Sequence, residues 1–153
     1  MEKVGKIAAY IYHQYKERFG DTIDEMKLHK LLYFGQRESF VLYNEPLFEG
    51  TFHAGQYGPV VLEVRELYRS KKMTEMPEKT TIDEKKEVFE KLWCDYAIKS
   101  SWSLSSLSHG EISWKNAYEK NKTTQLPYQK MEDKDILKDA LKIKRRRERM
   151  NQP

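Results

Sequence analysis

Residues 22–43 read TIDEMKLHKLLYFGQRESFVLY, and the pattern in this stretch decides the fold. Leu28, Leu31, Leu32 and Leu42 fall on one side of a helix together with Gly35 and Ser39. Tyr33, Phe34, Phe40 and Val41 cover much of the rest. A helix that is apolar on nearly every side belongs at the centre of a domain rather than on its surface. Thr22 and Glu25 have the spacing of a capping box, which places the start of the helix. Gly35 in its middle costs about 1 kcal/mol against Ala. The reading predicts a neighbouring element packed close against that glycine.

The flanking sequence supplies elements to surround this helix. Val4, Ile7, Ala8, Ile11, Tyr15 and Phe19 keep helical spacing up to Gly20, a C-terminal stop. After Asn44-Glu45-Pro46 the helical period disappears, and Phe48, Thr51, Phe52 and His53 favour a small β element near 48–55. The segment 52–61, FHAGQYGPVV, reads as a tight strand-to-helix turn from Gly55 to Gly58, with Pro59 in the first turn of the next helix. Val60, Val61, Val64, Leu67 and Tyr68 give that helix its apolar face. Residues 70–79 form a loop, and 79–82 are expected to pair as a short strand with 51–54. Thr81 and Glu84 then open a helix striped by Val88, Phe89, Leu92, Trp93 and Tyr96. Two short helices follow around a turn at His109-Gly110, and a last helix carries Ile136, Leu137, Ala140 and Leu141. The expectation is a mainly α, compact single domain of about six to seven helices around the buried 22–43 helix. Residues 1–141 form the domain and 142–153 a basic tail.

Composition narrows the class. The 153 residues suit one domain, and 34% of them are charged. No run approaches the roughly 18 apolar residues of a membrane span. The first twenty residues interleave charge with apolar side chains, unlike a signal peptide. Cys94 is alone, so a disulfide framework is not expected and a reducing, cytoplasmic setting fits. The net charge of +4 is uneven. Lys142, Lys144, Arg145, Arg146, Arg147 and Arg149, against Glu148, put +5 on the tail and leave the body near −1. That tail is either a solvated helix end, where cations suit the dipole, or a nucleic-acid contact.

Catalytic and cofactor signatures are weak. GxxG followed by Pro is not a phosphate-binding loop, because no Lys-Ser/Thr pair follows. His13, His29, His53 and His109 form no paired ligand spacing, and Cys94 has no companion, so neither a metal nor another cofactor is expected. Ser108 and His109 are chain neighbours, which rarely make a nucleophile and its base. His109 reads as a turn former and Cys94 as a small core residue. Paired carboxylates fall on stretches that read as solvated. Most aromatic residues are expected in the core. Tyr57, held between glycines in a turn, is the exception, and exposed rigid aromatics anchor protein interfaces.

Three segments in order carry a resemblance: MKLHKLLYFGQ (26–36), NEPLFEGTFHAGQYGPVVLEVRELYR (44–69) and LSHGEISWKNAY (107–118). They resemble the Panacea domain, also described as SocA-like or phage GepA-like, over residues 4–141. Lys27, Lys30, Leu31, Leu32, Tyr33 and Gln36 match its first block. Pro46, Leu47, Phe48, Ala54, Tyr57, Gly58, Pro59 and Val60 match the second, and His109 and Trp114 the third. The chain departs from the pattern at His29, Gly35, Gly55, Ser108 and Ser113. The resemblance implies a helical domain with a small β element and no catalytic activity. It implies an antitoxin of a bacterial or prophage toxin–antitoxin system, which neutralises a cognate toxin by direct protein binding. The expected partner-binding residues are Lys27, Lys30, Tyr33, Gln36, His53, Tyr57, Gly58, Pro59, His109 and Trp114. The alternatives are an autoregulator that binds its operator DNA through Lys144, Arg145, Arg146, Arg147 and Arg149, and an adaptor that delivers the toxin to a protease. A third is an enzyme with a site built from His53, His109 and Tyr57.

Overall fold

A computed structural model describes residues 1–151, so Gln152 and Pro153 of the expected tail lie outside the described residues. The central helix is α2, Glu25–Tyr43, and every residue from Lys27 to Ser39 is buried. α1 (Val4–Phe19) packs against it and ends at Gly20, whose φ of 80° only glycine adopts freely. A Cβ on Gly35 would stand 3.1 Å from Leu47 Cδ2 and 3.2 Å from Leu92 Cδ1, so the expected close neighbour is present on two sides. The N-cap of α2 is Asp24 rather than Thr22. Asp24 Oδ1 accepts from the Lys27 backbone N–H at 2.8 Å, while Glu25 turns to His29 and Arg69.

The segment after α2 departs from expectation. β1 (His53–Gly55) and β2 (Gly58–Val60) form an antiparallel hairpin, with His53 opposite Val60 and Ala54 opposite Pro59. The 55–58 turn therefore joins two strands, and helix α3 (Leu62–Arg69) starts three residues beyond Pro59. Pro59 fits a strand here because Ala54–Pro59 lies next to the Gly55–Gly58 pair that closes the turn. In an antiparallel ladder such alternate pairs need no N–H from either strand. Gly58 is not extended: its φ is 115°.

Residues 79–84 form helix α4 (Lys79–Glu84), not a strand, and Glu78 rather than Thr81 caps it. The reason lies in β1. One edge pairs with β2, and the other meets 129–131, where Ala54 N–H donates to Gln129 O at 2.8 Å and Met131 N–H to Phe52 O at 2.9 Å. No edge remains for a third segment. α5 (Lys86–Lys91) continues into a π-helical turn, Leu92–Tyr96. This buries Trp93 and Tyr96 and leaves Cys94 exposed, contrary to the core role expected of it. α6 (Ser101–Ser108), α7 (Ile112–Thr124) and α8 (Asp133–Met150) complete the domain. α8 runs without a break through residue 142 and packs on α2 and α7. No helix among the described residues is long and apolar enough to cross a membrane.

Candidate functional site

The hairpin is held by side chains on almost every carbonyl around its turn. Asn121 Nδ2 donates to Ala54 O at 2.8 Å, Trp114 Nε1 to Gly55 O at 2.9 Å and His109 Nε2 to Gln56 O at 3.1 Å. Ser105 Oγ donates to Tyr57 O at 2.7 Å and Lys30 Nζ to Pro59 O at 3.2 Å. His29 Nδ1 accepts from the Val61 N–H at 3.2 Å, which leaves its Nε2 to donate to Glu25. Three helices, α2, α6 and α7, thus converge on one turn of chain. A Cβ on Gly58 would lie inside contact distance of Ser108 Oγ and 2.8 Å from Lys30 Cε.

The clamp presents an aromatic tip. Tyr57 is 46% exposed and meets Trp102, 62% exposed, edge to face at 5.4 Å. Behind it, His109 stacks on Trp114 at 4.2 Å and Trp114 on Tyr118 at 4.6 Å, with Lys122 over the Tyr118 ring. A rigid backbone spends little entropy on ordering when a partner arrives.

Of the sequence-expected contacts, Tyr57 is exposed and His53 and His109 are half-buried. Gly58, Pro59 and Trp114 are buried parts of the clamp itself. The polar side of α2 is not a surface. Lys27 donates to Ala97 O and Tyr15, and Gln36 bridges the backbone of Leu47 and Phe48. Lys30 is 1% exposed, and burial lowers its pKa to about 8. These residues hold the hairpin and neighbouring loops in place. His53 Nδ1 is buried and has no hydrogen-bond partner among the described residues. The cleft of about 310 Å³ beside Tyr57 is lined by Glu25, Lys30, Arg65 and Tyr128 rather than by His53 or His109.

Sequence reading missed a buried ionic network beneath this site. Tyr33 Oη lies 2.8 Å from both Glu111 Oε2 and Asp139 Oδ2. Asp139 also accepts from the backbone N–H groups of Ile112 and Ser113 at 2.7 and 3.1 Å. Arg37 joins Glu111 to Tyr96 with two bonds of 2.6 Å. Burial, reinforced by Asp139, raises the Glu111 carboxyl above its ordinary range despite Arg37. The missed signal was polar residues placed on the turns of an otherwise apolar helix.

The fold and site together define a small helical domain with an exposed aromatic residue, Tyr57, on a side-chain-clamped hairpin. A family model described as Antitoxin SocA-like, Panacea domain matches residues 28–115. The match covers more than half of the chain, and the chain belongs to that family. No curated protein and no solved structure matches it.

Proposed function

We propose that this protein is a cytoplasmic antitoxin that neutralises a cognate toxin protein by binding it directly. Membership of the family supports the role, and the exposed pair of Tyr57 on the clamped hairpin and Trp102 on α6 carries the assignment of the surface. Its action is binding rather than catalysis. The contacting residues are Tyr57, Trp102 and Gln56, with His109 at the edge, while Lys30, Gly58, Pro59 and Trp114 fix their geometry. Delivery of the toxin to a protease would use the same contact. The operator-binding alternative draws less support, because Arg147, one of its five expected contacts, is committed to Glu38. Expressing the neighbouring open reading frame alone and with this protein tests the proposal. Growth arrest alone and rescue together support it; a neighbour that is harmless, or that is not rescued, contradicts it.

A further inference from the structure

A groove of about 1010 Å³ lies apart from the hairpin tip, across α6. One wall is a stripe of α8: Lys142, Ile143, Arg146, Arg147 and Met150. The spacing i, i+1, i+4, i+5, i+8 keeps these residues on one face. The other wall carries Cys94, Ile98, Lys99 and Leu107, and the floor is made by Phe34, Tyr96 and the buried ionic network. Three large apolar side chains stand open along it: Ile98 at 67%, Leu107 at 45% and Met150 at 76% exposure. Other cations in the groove are already paired: Lys91 with Asp95, Arg37 with Glu111 and Arg147 with Glu38. Lys99, Lys142 and Arg146 have no carboxylate partner among the described residues, so the unspent charge is positive.

We propose that this groove docks an acidic amphipathic helix of the protein partner and extends the interface begun at the hairpin tip. The proposal rests on the toxin-binding reading. The α8 stripe from Lys142 to Met150 rises about 12 Å, and a helix about 10 Å across fills on the order of 900 Å³ over that length. Apolar residues on one face of such a helix would meet Ile98, Leu107 and Met150, and its flanking carboxylates would meet Lys99, Lys142 and Arg146. A polyphosphate chain suits the groove less, because it would leave Ile98, Leu107 and Met150 without apolar contact. A standard interface buries roughly 1,600 Å² in total, more than a two-residue turn presents, and α6 joins the two surfaces.

Cys94, the chain's one cysteine, sits on the groove wall and is exposed, so its alkylation reports occupancy. The rate of maleimide addition is measured with four probes: a helical Glu/Leu peptide, its Lys/Leu counterpart, a scrambled Glu/Leu peptide and a short oligothymidylate. The proposal expects protection by the helical Glu/Leu peptide alone. It expects the protection to vanish in Lys142→Glu/Arg146→Glu, whose folding is checked by circular dichroism, and to survive in Tyr57→Ala. No protection, equal protection by the scrambled peptide, or protection by the oligothymidylate instead overturns it. The two readings fail separately. If the neighbouring gene product binds yet Cys94 reacts as fast as in the free protein, the groove proposal alone falls. If that product does not bind at all, the toxin reading falls.

Discussion

Arg147 of α8 grips Glu38 of α2 with both terminal nitrogens, Nη1 to Oε2 at 2.8 Å and Nη2 to Oε1 at 2.5 Å. Glu38 is wholly buried, and Tyr96 Oη donates to it at 3.3 Å. Removing one partner of a buried pair leaves the other charge without compensation. Arg147→Ala should therefore cost about 3 kcal/mol of stability, whereas exposed Arg145→Ala and Arg149→Ala should stay within about 0.5 kcal/mol. Urea unfolding of the three variants checks this. Equal, small effects would show that the grip contributes little. Deleting 142–153 removes a structural ion pair as well as charge, so any nucleic-acid test must use exposed Lys144, Arg145 and Arg149 instead.

Lys30 makes stability depend on pH in a definite direction. Burial lowers its folded pKa to about 8, against an ordinary value of 10.5. Between these values the unfolded chain holds a proton that the folded chain has released, so its contribution to stability rises with pH. Buried Tyr33 and Tyr96, whose pKa values are raised, oppose this only at the alkaline end. The difference between the wild type and Lys30→Met isolates the lysine. The urea midpoint of the wild type should gain on the variant from pH 8 upward, and parallel curves would refute the assignment.

Gly58 and Gly20 separate two costs. Both have positive φ, but a Cβ on Gly20 meets nothing within 4 Å, whereas one on Gly58 strikes Ser108 and Lys30. Gly20→Ala should cost about 1 kcal/mol through backbone strain, and Gly58→Ala distinctly more. Thermal unfolding of the two variants gives the comparison; equal losses would mean that the clamp yields easily.

The part of the fold legible in the sequence was the part written as uninterrupted apolar pattern. α2 and its tight contact at Gly35 followed from Leu28, Leu31, Leu32 and the glycine among them. The hairpin was misread because Pro59 announces a helix start by local rules, and only the ladder shows that its missing N–H falls where none is needed. Residues 79–82 were misread because nothing local reveals that 129–131 already occupy the second edge of β1. In the candidate site, Tyr57 was visible as an aromatic between glycines. Lys27, Lys30 and Gln36 looked like a surface stripe because residue type does not disclose burial. Arg37, Glu38, Glu111 and Asp139 carry no local signal, several of their partners lying 59 to 109 residues away in sequence.

The central claim is that Tyr57 on the clamped hairpin and Trp102 on α6 face a toxin together. Its most direct test is the affinity of the purified protein for the neighbouring gene product, measured by titration calorimetry for the wild type and for Tyr57→Ala/Trp102→Ala. Both side chains are exposed, so the variant should keep its unfolding midpoint. The account predicts a wild-type complex at micromolar concentration or tighter and a loss of at least about 2 kcal/mol in the variant, as for interface hot spots. Unchanged affinity in a folded variant would contradict it.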